Sequence, residues 1–506
     1  MTPPPSQHPP QAAPRASTGI AGLDDVLGGG LPARHLYLVE GEPGTGKTTL
    51  GIQFLLEGLR CGESGLYVTL SETADELRSV AAAHGWSLEG LQLFELVTAE
   101  GLSAEAEQSI LHPSEVELGE TTRGVMAEVE RHHPQRVVFD SLSEMRLLAQ
   151  DPLRYRRQIL ALKHFFARHR CTVLLLDDKT SQDNDLQLHS IAHGVLSLGQ
   201  NSGHYGEDKR YLRVAKLRGA KFRGGEHDFR LDTGGIALFP RLTAADHRGS
   251  LAHVVRSTGH AVLDRMLGGG LTSGSNTLFA GPSGVGKTTT AVACTVAALQ
   301  RGEKAAYYLF DEGLGTLLAR CRMLGLPVEP YIDSGSLEVH ALDPAAVSPG
   351  EFAHMVRDAV ERRGVTSLVI DSLNAYLQGM PGGKFLLLQM HELLTYLNQR
   401  GVATILVLGQ HGLFGEGSSD VDLSYLSDAL LLFRFFEARG RLLKAVSVVK
   451  SRTSAHEPFI REFRLGQGGV EVGAALTDFE GVMRGVPSYR GTQALLGDEV
   501  ATEPAR

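Results

Sequence analysis

The stretch Gly41-Glu42-Pro43-Gly44-Thr45-Gly46-Lys47-Thr48 follows the order Gly, four residues, Gly, Lys and then Ser or Thr. This spacing is typical of a phosphate-binding loop, because its glycines let successive backbone N–H groups point at phosphate oxygens. Lys47 would add a positive charge near the β- and γ-phosphates, and Thr48 would offer a hydroxyl to Mg²⁺. An apolar run at 36–39 predicts a buried strand before the loop, and residues 50–56 predict a helix whose N-terminus faces the phosphates.

The same pattern returns at Gly281-Pro282-Ser283-Gly284-Val285-Gly286-Lys287-Thr288, 240 positions further on (281 − 41). A period this long indicates a duplicated domain rather than a solenoid of short repeats. We therefore expect a disordered tail over 1–16, a first domain over 17–247, a second domain over 248–485 and a flexible tail over 486–506. The residues predicted to bind nucleotide through the two loops are Gly44, Thr45, Gly46, Lys47, Thr48 and Thr49, and Gly284, Val285, Gly286, Lys287, Thr288 and Thr289.

Within each half, short apolar runs alternate with longer amphipathic stretches. Runs rich in Val, Leu and Ile that are separated by helices predict an α/β fold with a mainly parallel sheet covered on both faces. Later in each half, residues 211–216 and 442–450 instead predict the strands of a hairpin. The predicted parallel strands are 65–70, 91–97, 136–140 and 171–176 in the first half, and 305–310, 337–341, 367–371 and 403–408 in the second.

Composition narrows the class of protein. The 506 residues are 42% hydrophobic and 21% charged, which is ordinary for a globular chain of two or more domains. The formal net charge of −9 gives no general attraction to nucleic acid or to an anionic membrane. The four cysteines form no C-x-x-C pair, and no apolar run reaches the length of a membrane span. We expect a cytoplasmic protein with reduced thiols.

A phosphate loop needs an acid that holds Mg²⁺ at the end of a neighbouring strand. Asp140 ends the run 136–140, Asp371 ends the run 367–371, and each is followed by Ser. Together with Thr48 and Thr288, these two acids are the predicted metal ligands, directly or through water. The alternative is that each Asp caps the helix that follows the strand.

Hydrolysis also needs a base that orients the attacking water. The candidates are Glu72, which follows Ser71, and the pair Asp311 and Glu312. Acids that lie close together can hold one pKa high enough for a base. The alternative is that the glutamates open the first turn of the next helix, where the helix dipole favours acids.

Several further motifs accompany the two loops. Ser17-Thr18-Gly19 precedes the glycine turn Leu27-Gly28-Gly29-Gly30, and His84-Gly85-Trp86 follows the acidic turn at Ser71-Glu72. Lys216-Leu217-Arg218-Gly219 lies in the first predicted hairpin. The second half adds Lys450-Ser451-Arg452 and Ile460-Arg461-Glu462-Phe463. With these motifs in duplicated order, nearly the whole chain resembles the KaiC family of RecA-like phosphate-loop ATPases. The resemblance implies two tandem RecA-like domains that bind ATP with Mg²⁺ at subunit interfaces of a hexameric double ring, with a Ser/Thr autokinase in the second ring.

The resemblance also assigns individual residues. Lys216 and Arg218, and likewise Lys450 and Arg452, match a pair that reaches the nucleotide of the neighbouring subunit; otherwise they are ordinary solvated strand charges. The family has two adjacent Glu where this chain has Ser71 and Glu72, so hydrolysis in the first half rests on Glu72 alone or is weakened. Ser424 matches a phosphoacceptor, although Tyr425 replaces the Thr of the family pair. A plain polar role for Ser424 at a strand edge is equally consistent with the sequence.

RecA-like ATPases often carry a polar residue that senses the γ-phosphate after the strand that corresponds to 403–408 of this chain. Gln410 occupies that place in the second half, and Asp177-Asp178 occupies it in the first. The acidic run that follows, 179–185, argues against a grip on single-stranded DNA, which needs a basic and aromatic groove. A DNA-recombination or helicase-like motor and a non-catalytic nucleotide switch remain the alternatives. The partners expected are further copies of the chain and an unidentified regulatory or signalling protein, with no membrane and no nucleic acid.

Overall fold

A computed structural model of the chain divides into two compact units, Met1–Arg241 and Leu242–Arg506. In the described part of the chain, no helix is long and apolar enough to cross a membrane. All structural statements below refer to the described residues, which are 14–96, 113–149, 151–179, 186–201, 208–244, 253–379, 384–410, 424–438, 440–467, 469–482 and 488–489.

The first domain alternates strands and helices and ends in consecutive strands. Its elements are β1 Arg15–Ala16, α1 Ala21–Val26, β2 Leu31–Pro32, β3 Leu36–Gly41, α2 Lys47–Arg60, β4 Gly65–Thr69, α3 Ala74–Ala83, β5 Gln92–Glu95, α4 Pro113–His132, β6 Arg136–Asp140, α5 Leu142–Ala149, α6 Pro152–Arg168, β7 Thr172–Asp178, α7 Leu186–Ile191, β8 Gly194–Asn201, β9 Lys209–Leu217, β10 Glu226–Asp232 and β11 Gly235–Phe239.

Nine of these strands form one sheet in the order β11-β10-β9-β8-β3-β7-β6-β4-β5. The six strands from β8 to β5 run parallel, with β3, which precedes the phosphate loop, among them. The strands β9, β10 and β11 are antiparallel and complete the sheet. The sequence prediction of a mainly parallel sheet followed by a hairpin is therefore confirmed.

Side-chain alternation along β3 explains why the sheet is covered on both faces. Tyr37 and Val39 belong to one buried cluster together with Leu50 of α2. Leu36 and Leu38 belong to a second cluster, which includes Ile159 of α6. Because successive strand residues point to opposite faces, a nearly continuous apolar strand needs helices on both sides.

The second domain repeats this architecture. Its elements are β12 Val255–Arg256, α8 Ala261–Met266, β13 Leu271–Thr272, β14 Ser275–Gly281, α9 Lys287–Gln300, β15 Ala305–Leu309, α10 Leu314–Met323, α11 Glu329–Asp333, β16 Leu337–Ala341, α12 Pro349–Glu361, β17 Ser367–Asp371, α13 Leu373–Gly379, α14 Lys384–Gln399, β18 Ala403–Gly409, β19 Ala429–Ala438, β20 Arg441–Ser451, β21 Arg461–Gly466, β22 Gly469–Ala475, β23 Phe479–Glu480 and β24 Ser488–Tyr489. A short 3₁₀ helix, Ser424–Leu426, precedes β19. The sheet order is β16-β15-β17-β18-β14-β19-β20-β21-β22, which, read from the other edge, matches the first sheet strand for strand.

Glycines at two points of the first loop are required by its shape. A Cβ on Gly41 would lie 2.7 Å from both the Leu198 carbonyl oxygen and Thr45 Oγ1, so no side chain fits at the end of β3. Gly46, the residue before α2, has φ 96°, in the left-handed region that favours glycine. The loop therefore turns directly into α2 and leaves the first N–H groups of that helix free for an anion.

Candidate functional site

The two loop lysines lie in different electrostatic surroundings. Lys47 Nζ donates to the carbonyl oxygens of Gly41 and Glu42 at 2.9 and 3.0 Å, and it forms an ion pair of 2.7 Å with Asp178. Lys287 Nζ donates to the carbonyl oxygens of its own loop at 2.7 Å. Burial lowers the pKa of Lys287 to about 8, although Asp371 and Asp311 act in the opposite direction.

The acid at the end of β6 lies directly beside the first loop. Asp140 Oδ2 accepts hydrogen bonds from Thr48 Oγ1 at 3.1 Å and from the Tyr67 hydroxyl at 2.6 Å. In the second domain, the Tyr307 hydroxyl donates to Asp371 at 2.9 Å, and Thr288 also hydrogen-bonds that carboxylate. The two tyrosines were not singled out from the sequence, although their spacing of 240 residues (307 − 67) equals the repeat.

Both of these aspartates are buried, and burial dominates their titration. Burial raises the pKa of Asp140 despite the hydrogen bonds from Tyr67 and Thr48. Burial also raises the pKa of Asp371 despite the hydrogen bonds from Thr288 and Tyr307. A desolvated carboxylate beside a threonine hydroxyl and a phosphate loop is a donor set that suits Mg²⁺ bound to nucleotide phosphates. The residues present therefore fit this metal.

Glu72 lies near Asp140 and just before the next helix. That helix begins at Ala74 and is capped by Thr73, so the alternative that Glu72 lies in its first turn is wrong. Among the described residues, the buried Oε2 atom of Glu72 has no hydrogen-bond partner. Burial, followed by the charges of Asp140, Glu76 and Asp178, raises the pKa of Glu72. The first domain thus holds a carboxylate that takes up a proton more readily than an ordinary glutamate.

The matching acids of the second domain are engaged by other side chains. Ser372 Oγ donates a hydrogen bond to Asp311. Arg320, on α10, forms an ion pair with Glu312. The next helix begins at Leu314, so Glu312 also precedes the first turn. Arg320 was missed from the sequence, although the residue 240 positions earlier is Val80, and this contrast between the two copies could have identified it.

Strand register corrects one comparison between the domains. Gly41 pairs with Asp178 in the first sheet, whereas Gly281 pairs with Gly409 in the second. Asp178 therefore corresponds to Gly409 and not to Gln410, so the expected comparison was wrong by one residue. The register between β3 and β7, and between β14 and β18, could not be predicted from the sequence, because apolar strands carry no signal that fixes how they pair. Only the sheet shows that the first domain places an acid beside its loop lysine where the second domain has glycine.

The two Lys-x-Arg pairs lie far from their own phosphate loops. Lys216 Nζ donates to the carbonyl oxygens of His189 and Ala192, and an Arg218 nitrogen donates to that of Ser190 at 2.8 Å. In the second domain, Lys450 Nζ donates to the Ser427 carbonyl at 2.8 Å. Arg452 lies 3.9 Å from Asp428. The structure thus does not bring these residues together with the loop lysines of the same domain.

Two of the sequence predictions concern residues that lie partly outside the described part of the structure. Ser424 begins the 3₁₀ helix before β19, but its side chain lies outside the described residues. Of the run 179–185, only Lys179 is described. Lys179 lies 3.7 Å from Glu40 in an ion pair and takes the register position of Gln410.

A six-stranded parallel core, a phosphate loop after a central strand and an acid at a neighbouring strand end define a RecA-like phosphate-loop ATPase domain, present here twice. The family model for the KaiC ATPase matches residues 16–243 and again 256–477. The chain belongs to the KaiC ATPase family, and the expected family resemblance is confirmed.

Curated relatives cover almost the full length of the chain. It is 24% identical over 480 residues to the circadian clock protein KaiC3 of Synechocystis, covering 94% of this chain and 95% of the relative. It is 26% identical over 479 residues to the circadian clock oscillator protein KaiC of Parasynechococcus marenigrum, covering 93% and 92%. It is 26% identical over 501 residues to KaiC of Synechococcus elongatus, covering 96% and 94%.

Proposed function

We propose that each domain binds MgATP and hydrolyses it at an interface between subunits of a homo-hexameric ring. The observation that carries this proposal is that each domain has its loop lysine and strand-end aspartate at one end of the sheet and a Lys-x-Arg pair toward the other end. In the first domain, the loop end consists of Lys47, Thr48, Asp140 and Glu72. The cations are Lys216 and Arg218.

Strand register supports a role for these cations in another subunit. The Arg218 N–H donates to the His193 carbonyl, and the His193 N–H donates to the Leu36 carbonyl. Arg218 is therefore level with Leu36, five residues before Gly41. Five residues of strand span about 16 Å, so Arg218 lies near the opposite end of the sheet from the loop in its own domain.

A contact between unlike ends of identical subunits is heterologous and closes into a ring when the rotation allows. Such a contact would bring Lys216 and Arg218 of one subunit to the phosphates held by the next. Positive charge supplied in trans stabilises the charge that develops on a transferring phosphoryl group. Lys450 and Arg452 would act in the same way in the second ring. Six subunits is the number that the family resemblance supplies.

In the first domain, Glu72 is the proposed base. Water attacks the γ-phosphorus, the bond from that phosphorus to the β,γ-bridging oxygen breaks, and Glu72 takes the proton of the water. A raised pKa suits this task, because a general base works best when its pKa approaches the working pH. Mg²⁺, held by Thr48 and Asp140 together with the nucleotide, would neutralise phosphate charge when bound.

In the second domain, we propose hydrolysis and also phosphotransfer to the chain itself at Ser424. Ser424 lies before the start of β19, at the same end of the sheet as Lys450, so the donor nucleotide would belong to a neighbouring subunit. The Ser424 hydroxyl would form a bond to the γ-phosphorus, ADP would leave, and Glu312 would accept the hydroxyl proton. Mapping phosphate by peptide mass after incubation with MgATP tests this step, and S424A should remove the signal. Phosphate that persists in S424A would overturn it.

Two alternatives are disfavoured by specific observations. A purely switching first domain would not need a base, yet Glu72 lies near Asp140 with a buried oxygen that has no hydrogen-bond partner among the described residues. A DNA-driven motor would need a basic groove, whereas the chain carries a net charge of −9. Stimulation of ATP turnover by single-stranded DNA would restore the motor hypothesis.

Equilibrium binding of a fluorescent ATP analogue with Mg²⁺ tests the nucleotide sites directly. We expect two sites per chain in the wild type, one in K47A, one in K287A and none in the double variant. Binding that persists in the double variant, with the fold retained, would contradict the proposed sites.

A further inference from the structure

A small surface pocket opens at the end of the first sheet that lies away from the phosphate loop. Its cavity volume is about 60 Å³, and its lining includes Arg34, His35, Lys163, His193 and Arg218. At the ~15 Å³ that one water requires, this space holds about four waters or one small oxyanion. In the described part of the chain, no Asp or Glu is among its lining residues.

The cations around this pocket are not neutralised by acids. Lys163 Nζ donates to the Ile191 carbonyl at 2.7 Å, and Arg218 donates to the Ser190 carbonyl at 2.8 Å. Within the described residues, none of the side chains of Lys163, Arg218 and Arg34 forms an ion pair with a carboxylate. Three positively charged residues thus line one small space, which favours an anion inside it.

Two stacked histidines complete the lining of this pocket. The rings of His35 and His193 stack with their centroids 3.7 Å apart. Burial and the charge of Lys163 lower the pKa of His35. Burial, followed by His35, Arg218 and Lys163, lowers the pKa of His193 to about 4. Both rings are therefore neutral near pH 7, and an anion between the surrounding cations would favour their protonation.

The second domain lacks this arrangement at the matching positions. Gly274, Ser275 and Leu394 replace Arg34, His35 and Lys163. The Arg452 N–H donates to the Asp428 carbonyl as the Arg218 N–H donates to that of His193, so an acid stands where the first domain has His193. The cationic pocket is therefore a feature of one domain and not of the shared fold.

The backbone at Arg34 is a separate observation. Arg34 has φ 64°, in the left-handed region, and its counterpart Gly274 has φ 67°. Glycine adopts this conformation without strain, whereas an arginine does not. A strained arginine at the mouth of a cationic pocket, where the other copy has glycine, indicates a role for its guanidinium.

We propose that this pocket, lined by Arg34, His35, Lys163, His193 and Arg218, binds a small tetrahedral oxyanion such as phosphate or sulfate. The site lies at the opposite end of the sheet from the loop lysine, and it does not depend on the proposed ATPase activity. A free oxyanion fits the cavity, whereas a nucleoside does not. Because Arg218 belongs to both the pocket and the Lys-x-Arg pair, a bound oxyanion would compete with nucleotide phosphate for that side chain.

Sulfate is the probe for this site, because it stays a dianion across the pH range used. Sulfate binding is measured by calorimetry on the full-length K47A/K287A protein. Both phosphate loops of this variant lack their lysine, so the loops should not contribute to the sulfate signal. We expect about one sulfate per chain, and at least a tenfold loss of affinity in the same protein carrying R34G and K163L. These substitutions introduce the residues of the second domain, and thermal unfolding checks that the fold is retained. If the double substitution does not fold, R34G alone serves.

The pH dependence is a second readout. The charged side chains around the histidine rings are Arg34, Lys163 and Arg218. The Tyr37 ring contacts His193 edge-on with the ring centroids 5.9 Å apart, and burial raises the pKa of its hydroxyl. Burial also raises the pKa of the Cys171 thiol to about 11, so both of these groups are neutral in this pH range. Because sulfate favours histidine protonation, binding takes up protons, and we expect affinity to rise about threefold or more from pH 7.5 to 6.0. H35S, which again copies the second domain, should reduce this rise.

Three outcomes would overturn the proposal. In the first, the folded K47A/K287A protein does not bind sulfate. In the second, adding R34G and K163L leaves its sulfate affinity unchanged. In the third, ADP binds at this pocket and sulfate does not. The last result would assign the pocket to the phosphate end of a nucleotide. Binding of MgATP by the wild-type protein is measured separately, so a failure of the proposed function would not be confused with a failure of this site.

Discussion

Glu72 differs from Glu312 in what surrounds its carboxylate. Among the described residues, no group hydrogen-bonds the buried oxygen of Glu72, and its pKa is raised, whereas Glu312 is ion-paired with Arg320. In a K287A background, E72Q should lower the first domain's turnover by about 100-fold or more, because it removes a general base. ATP binding should be retained, because the phosphate loop is unchanged. Turnover equal to that of K287A alone would show that Glu72 is not the base.

The raised pKa of Glu72 also predicts a pH effect. A carboxylate must lose its proton to act as a base, so first-domain turnover should fall with decreasing pH at a higher pH than an ordinary glutamate would give. D178N removes one of the charges that raise this pKa and should shift the acid limb of the profile to lower pH. A profile measured in the K287A background checks this, and an unchanged acid limb in D178N would contradict it.

Arg320 and its counterpart Val80 allow each domain to be given the residue of the other. In a K47A background, R320V should raise second-domain turnover about threefold or more, because it frees Glu312 to accept a proton. V80R in the K287A background is the reverse change and should lower first-domain turnover. If R320V lowers turnover while the protein stays folded, Arg320 instead positions Glu312 productively.

Spacing in the sequence predicted both loops and both aspartate strand ends, because each is a local pattern that occurs twice. It did not predict the ion pairs of Asp178 or Arg320. The first joins Lys47 at the start of α2 to Asp178 at the end of β7, and the position of Asp178 beside the loop is set by sheet register. The second depends on how α10 turns one side chain back over the strand end, which helix periodicity alone does not specify.

At the scale of elements, the ends of β7 and β18 distinguish the two sites. Asp178 on β7 pairs with Lys47, and Gly409 stands at its place on β18. D178N should tighten ATP binding by the first domain about tenfold, because Lys47 would not have to break its ion pair with Asp178 before it binds phosphate. G409D should weaken ATP binding by the second domain, and a Cβ at Gly409 meets no atom closer than 3.4 Å. Equal affinities in wild type and D178N would exclude a restraining role for this pair.

The parallel strands that the sequence predicted match the structure within about two residues at most ends, because buried Val, Leu and Ile runs are bounded by glycines and acids. The strands β8 and β19, which also run parallel to their neighbours β3 and β14, were not predicted. The antiparallel strands β10 and β21 could not be predicted. In β10, EHDFRLD, every second residue is charged, and β21, REFRLG, carries three charged residues among six. Such a pattern does not differ clearly from a loop until its pairing partner is known.

At the scale of the whole molecule, the placement of cations away from the loops predicts dependence on assembly. In the K287A background, K216A/R218A should lower turnover about 1,000-fold, as expected for loss of a trans-acting arginine. ATP binding by each chain should change little, because the loop of the same domain is intact. Size measurement by light scattering with and without MgATP shows whether the ring itself survives, so that loss of catalysis and loss of assembly are separated.

The most direct test of interface catalysis is subunit complementation. One variant carries E72Q and E312Q, and the other carries K216A, R218A, K450A and R452A. Each should be nearly inactive alone. When subunits are exchanged into mixed rings, about a quarter of interfaces join an intact base to an intact cation pair, and turnover should recover to about that fraction of the wild-type rate. Mixed rings that form but stay as inactive as their components would contradict the account.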